Sequence, residues 1–167
     1  MINRYLRTAL VAVAFAAAPA AVEAQATLGP TVAYHDDFDF GVGAAVGVPI
    51  EAINENVGFL GDFVFFFPDS DVVDFWEINA NLTMDFPIED ATVVPFALAG
   101  LNIARFSLDG GGIIDDRSDT EMGLNIGGGI KFDVGSLRPS VGLRLELEGG
   151  DGFVIFGTVP FVLGGGD

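Results

Sequence analysis

From Glu121 to Asp133 the chain reads E-M-G-L-N-I-G-G-G-I-K-F-D. In an extended backbone Met122, Leu124, Ile126, Ile130 and Phe132 fall on one face, and Glu121, Asn125, Lys131 and Asp133 on the other. The pattern recurs. Trp76, Ile78, Leu82 and Met84 oppose Glu77, Asn79, Asn81, Thr83 and Asp85, while Val141, Leu143, Leu145 and Leu147 oppose Ser140, Gly142, Arg144, Glu146 and Glu148. In a third stretch Phe38, Phe40, Val42, Val46 and Val48 oppose Asp39 and the glycines 41, 43 and 47. Two-faced strands of this kind must close on themselves if the apolar face is to meet lipid, because an open edge leaves backbone groups unpaired in hydrocarbon.

Turn residues mark breaks at His35–Asp37, Glu51–Asn56, Pro68–Asp74, Pro87–Ala91, Ser107–Asp119, Val134–Leu137 and Gly149–Gly152. They separate eight segments of about nine to thirteen residues, and a tilted strand crosses a bilayer in roughly nine to eleven. The expected fold is all-β: an eight-stranded antiparallel up-and-down transmembrane β-barrel. The segments 57–67 and 152–163 are apolar on both faces, so their register is expected to be weakly specified.

The first residues do not share the pattern. Arg4 and Arg7, the apolar run Ala9–Ala18 and the small residues of Val22-Glu23-Ala24 have the form of an export signal. The expected division is a cleaved signal peptide over 1–24 and a barrel domain over 25–167. Without Arg4, Arg7 and Glu23, seven basic and twenty-four acidic residues become five and twenty-three, a net charge of −18. Such a surface repels phosphate, which argues against nucleic acid as a partner. The absence of cysteine excludes disulfides, thiolate metal sites and lipidation at cysteine.

Energy decides which face is outside. A basic side chain facing lipid at mid-membrane costs about 2–4 kcal/mol, so Asp62, Glu77, Glu121, Lys131, Arg144 and Glu146 belong inside. With Asn79 and Asn81 they are expected to form an interior polar network in a barrel just wide enough for side chains to fill, which argues against a large pore. Aromatic girdles are expected from Tyr34, Phe38, Phe65, Phe67, Phe75, Trp76 and Phe153 at the loop end. Phe59, Phe86, Phe132 and Phe161 would form the opposite one. Arg105 falls on the outward set, so it either snorkels or follows a bulge. Pro30 and Pro160 each remove a ladder donor near the same end of the first and last segments, where the closing seam is expected to be weak.

With its signal peptide, its eight segments over Ala26–Leu163 and the stretch Val94-Pro95-Phe96-Ala97-Leu98-Ala99-Gly100-Leu101-Asn102-Ile103, the chain resembles the small outer-membrane β-barrel family, the OmpA/OmpX-like transmembrane domains of Gram-negative bacteria. The resemblance implies an outer-membrane location, biogenesis through the barrel-assembly machinery and no peptidoglycan-binding domain. By analogy, the loops at His35, Pro68, Ser107 and Gly149 face outward. Members of that family usually end on an aromatic residue, whereas this chain runs past Phe161 into Gly164-Gly165-Gly166-Asp167. Either Phe161 serves inboard or assembly depends less on the terminal residue.

Little chemistry is written in the loops. His35, the single histidine, sits beside Asp36 and Asp37 and reads as a polar loop residue at a strand end. A catalytic pairing with Ser70, Ser107 or Ser118 has no fixed spacing behind it, so no enzyme is expected. Asp109, Asp115, Asp116 and Asp119 flank three glycines and are candidate calcium ligands, though a solvated acidic loop is the plainer reading. No cofactor is expected. The reading is a monomeric outer-membrane barrel with a structural, membrane-integrity or adhesion-like role through acidic loops, in contact with membrane lipid and, through divalent cations, lipopolysaccharide. The alternatives are a secreted soluble barrel that binds a small apolar ligand inside, and a lipid-modifying barrel enzyme.

Overall fold

A computed structural model describes residues 26–70, 72–108, 117–134, 137–147 and 152–163. The expected signal peptide, Asp109, Asp115, Asp116, Glu148 and the terminal Gly-Gly-Gly-Asp lie outside the described residues. The strands are β1 (Thr27–His35), β2 (Asp39–Pro49), β3 (Val57–Phe66), β4 (Val73–Asp85), β5 (Val93–Leu108), β6 (Arg117–Phe132), β7 (Ser140–Leu147), β8 (Gly152–Thr158) and β9 (Phe161–Val162). Each pairs antiparallel with its neighbours, and β1 joins both β2 and β8 to close the barrel. β9 continues β8, because Phe161 and Val162 meet Leu28 and Thr27 in the register that Val154–Thr158 keep with β1. The barrel therefore has eight staves.

Alternation places the side chains as the energy argument requires. Val42, Leu82, Met84, Leu101, Leu124, Ile126, Val141, Leu143 and Leu145 are exposed on the outer surface, while Glu77, Asn79, Asn81, Asn102, Asn125, Arg144 and Glu146 are buried. A soluble ligand-binding barrel would need the opposite arrangement. The interior is not wholly polar, however: Val64, Phe66, Phe75, Phe96, Leu98, Val154 and Phe156 form a second, apolar population inside. This fixes the register of the segments that are apolar on both faces, since β3 and β8 turn their inner Val64, Phe66, Val154 and Phe156 onto a packed core.

Two expectations are corrected, and one left between two alternatives is decided. First, β5 and β6 have sixteen residues each, longer than a bilayer crossing requires, and their ladder is unbroken from Val93↔Phe132 to Leu108↔Arg117. Asp119 is thus a strand residue opposite Phe106 rather than part of a loop. Second, no bulge turns Arg105: the β4–β5 register runs unbroken, placing it outward beside Trp76 near the loop end of the strand. Third, Phe38 does not join the outer girdle. The neighbouring Asp39 has φ 60°, a left-handed conformation that interrupts the strand alternation, and the Phe38 ring lies on Phe75 with centroids 3.7 Å apart. Phe75 is itself buried inside, not in a belt. Tyr34, Phe65, Phe67, Trp76 and Phe153 remain on the outer surface at the loop end, and Phe86, Phe132 and Phe161 at the other.

Candidate interior site and acidic mouth

The middle of the barrel is organised around Arg144, which is 1% exposed. Its Nε donates to Glu146 Oε1 at 2.6 Å, Nη2 to Glu77 Oε2 at 2.9 Å, and Nη1 to Asp62 Oδ1 at 3.3 Å. Three strands supply the carboxylates, from β3, β4 and β7 itself, so the guanidinium joins opposite walls of the barrel. Five donors in a planar fork allow this, where an ammonium would act as a point charge. Glycines opposite make the space: a Cβ at Gly127 would lie 2.8 Å from Arg144 Cα and 3.0 Å from its Cβ.

An amide layer continues the cluster. Asn79 Nδ2 donates to Asp62 Oδ1 at 3.0 Å, and Asn102 Nδ2 to Glu146 Oε2 at 3.1 Å. Asn125 Nδ2 lies 2.8 Å from Asn79 Oδ1 and 3.0 Å from Asn81 Oδ1, which gathers β4 and β6 around one amide. Buried polar groups without partners cost about 1–3 kcal/mol each, so a network of this density specifies one arrangement of the walls.

Two residues assigned to this network from the sequence stand apart from it. Lys131 pairs with Asp85 at 2.6 Å toward the end that holds the termini, with both side chains partly exposed. Glu121 has the inward parity but is exposed at the loop end, where with Asp37, Asp119, Phe38, Phe75 and Phe106 it lines a cavity of about 350 Å³. That cavity is an acidic vestibule. The opposite end holds a second one of about 260 Å³, lined in part by Asp85, Lys131, Ser140 and Thr158.

His35 is the residue that the sequence reading misplaced. It is the last residue of β1, faces inward with Thr31 and Ala33, and is 0% exposed. Phe38, Phe66 and Phe75 surround its ring edge-on, with centroids 5.0, 5.7 and 5.6 Å away. Nδ1 accepts the Asp37 backbone N–H at 3.0 Å, and Nε2 lies 3.9 Å from Glu77 Oε1. Neither Nε2 nor Glu77 Oε1 has a hydrogen-bond partner. Ser107 and Ser118 face each other on the outward parity of β5 and β6, so the His–Ser pairing of the catalytic alternative is not assembled between these residues. The inward alternation Thr31, Ala33, His35 was the signal that locates His35; the adjoining aspartates obscured it.

Two donor groups converge on this histidine: His35 with Asp36 and Asp37, and His35 with Glu77 and Glu146, each with ligand atoms within 4.8 Å of one another. Of the calcium candidates, Asp119 lies at the vestibule.

No protein-family model matches the sequence, and no curated protein matches it. Solved structures do match the fold. The N-terminal β-barrel domain of Pseudomonas aeruginosa OprF superposes with a TM-score of 0.64 at 15% identity, over 83% of this chain and 96% of that one. Neisserial surface protein A (NspA) gives 0.61 at 17% identity, over 83% and 96%. Ail, the attachment invasion locus protein of Yersinia pestis, gives 0.52 at 19% identity, over 81% and 93%. Closed by eight staves, apolar outside and charged within, the chain has the fold of the small outer-membrane β-barrels and the outer surface that a bilayer-spanning barrel requires.

Proposed function

We propose that this protein is a structural and surface-interaction component of the outer membrane: a monomeric, plugged barrel that presents acidic groups at the cell surface and acts through them rather than through a pore or a catalytic centre. The observation that carries this reading is the contrast between middle and mouth. Glu77, Arg144 and Glu146 fill the middle and are 0–2% exposed, whereas Asp37, Asp119 and Glu121 stand open at one end. A filled eight-stranded interior supports anchoring over conduction. Carboxylates at the rim favour divalent cations, which bridge to lipopolysaccharide phosphates and support envelope integrity or adhesion. The protein named for attachment and invasion among the matched structures is compatible with a surface role.

The test is to express the chain and a D37N/D119N/E121Q variant in a Gram-negative host that lacks it, after confirming by unboiled gel migration that both fold. Bile-salt resistance and binding to host-cell matrix are then compared with and without added calcium. A calcium-dependent gain that the variant loses supports the reading. Equal behaviour of both chains, or a large steady conductance in planar bilayers, defeats it.

A further inference from the structure

We propose that His35, Glu77 and Glu146 form a buried binding site for a divalent transition-metal ion of the zinc class, reached through the acidic vestibule. This goes beyond the surface role above and does not depend on it. One imidazole nitrogen and one oxygen from each glutamate lie within 4.8 Å of one another, on three strands of the closed barrel. Two of these atoms, His35 Nε2 and Glu77 Oε1, are buried, aimed toward each other 3.9 Å apart, and without any hydrogen-bond partner. That separation is too long for a hydrogen bond. A zinc ion at about 2.0–2.2 Å from each ligand needs ligand atoms roughly 3.3–3.6 Å apart, so His35 and Glu77 at 3.9 Å close by a few tenths of an ångström, and the Glu146 oxygen, within 4.8 Å of both, moves in by at most somewhat over an ångström.

Charge points the same way. Asp62, Glu77 and Glu146 surround a single guanidinium, so the cluster carries more negative than positive groups, and a divalent cation balances it. Arg144 holds Glu77 by its other oxygen, Oε2, and both oxygens of Glu146 are oriented by Arg144 and Asn102. The ligand carboxylates are therefore fixed by neighbours, as at established metal centres. His35 has the equivalent support: Asp36 Oδ1 lies 3.3 Å from Nδ1 and accepts its proton when Nε2 is on the metal. In that tautomer the Asp37 N–H, now on Nδ1 at 3.0 Å, turns to solvent; Asp37 is exposed. An imidazole with two carboxylates and no ring of six to eight oxygens selects zinc-class ions over calcium and magnesium. Asp37, Asp119 and Glu121 concentrate cations at the mouth.

The test uses the full barrel, purified folded in detergent, stripped with chelator and titrated with Co²⁺ and then Zn²⁺ alone. Expected are a visible Co²⁺ ligand-field band that saturates at one ion per chain, its displacement by Zn²⁺ but not by a hundredfold excess of Ca²⁺, and its loss in His35→Gln. Gly152→Ala keeps all three ligand residues but sets a methyl against Cε1 and Nε2 of the imidazole, which displaces the ring from the site, and it should also abolish the band. Asp36→Ala should weaken binding about 10–100-fold. Zinc-edge absorption of the wild type should show one imidazole in a nitrogen–oxygen shell, a readout that needs no variant to fold. A wild-type chain with no saturable band, or a band that persists in folded His35→Gln, overturns the proposal. So does an edge spectrum without imidazole.

Discussion

Gly127 faces Arg144 across the β6–β7 ladder, and the Cβ it lacks would press on the Leu143 carbonyl oxygen and lie 2.8 Å from the arginine's Cα and 3.0 Å from its Cβ. Among the described residues, the one long cation at the centre of the barrel thus depends on an empty position in the next strand. Gly127→Ala is expected to destabilise the barrel by about 1–3 kcal/mol through overpacking against backbone that cannot yield. Urea unfolding in lipid vesicles, followed by Trp76 fluorescence, measures this, and an unchanged midpoint would refute the packing argument.

Arg144 itself is expected to be costly to remove. Arg144→Met leaves Asp62, Glu77 and Glu146 without their shared partner and should cost about 3–5 kcal/mol. Neutralising the acids as well, with Asp62→Asn, Glu77→Gln and Glu146→Gln in the Arg144→Met background, should recover part of that loss. A quadruple variant less stable than Arg144→Met would show that the amides cannot replace the charged network.

Lys131 and Asp85 supply the internal contrast. Their pair is as short as any in the barrel but 31% and 27% exposed. Lys131→Met should therefore cost less than about 1 kcal/mol. A loss as large as that of Arg144→Met in the same unfolding assay would mean that the terminal vestibule is drier than its geometry implies.

Depth in the membrane can be read on the outer face. Leu143 lies in the middle of β7, with Gly128 and Ile155 beside it, whereas Phe161 lies at the end of the barrel. Arginine at 143 should cost about 2–4 kcal/mol and at 161 about 0–1 kcal/mol. Equal costs at both positions would place the lipid band elsewhere.

The seam between β1 and β8–β9 is expected to open locally. Gly29 and Pro30 face Val159 and Pro160, and the pairing of β1 skips this step between Leu28↔Phe161 and Thr31↔Thr158. Val159 N–H still reaches Pro30 O at 3.1 Å. Amide exchange should be faster at Val159 than at Ala33 and Phe156, and comparable protection at all three would remove the weak point.

The alternation in β4, β6 and β7 makes the barrel and most of its inner acids legible in the sequence, because a period of two with charges on one face has few solutions in a bilayer. What alternation does not carry is the behaviour of residues at turns. Phe38 escapes the outward set because of one left-handed residue beside it, Asp39, and such a φ is invisible in the pattern. His35 was readable by parity, yet the two exposed aspartates that follow it resemble a loop. The partition of interior charges into an Arg144 cluster, an outlying Lys131–Asp85 pair and a solvent-facing Glu121 depends on stagger between strands. Register fixes that, and the sequence of any one strand does not contain it.

The unequal staves have a mechanical meaning. A sixteen-residue strand spans about 53 Å and, tilted by about 40°, rises roughly 40 Å, whereas the lipid-facing band is about 25 Å tall. The outward residues of the β5–β6 hairpin turn polar beyond Ile103 and Met122, at Arg105, Ser107, Ser118 and Thr120. The excess length therefore stands clear of the lipid as a beam held at one end. A load applied at its tip reaches the barrel as torque, concentrated where Asn102 faces Gly123 and Asn125 faces Gly100, and the buried amides there are the clamp that resists it.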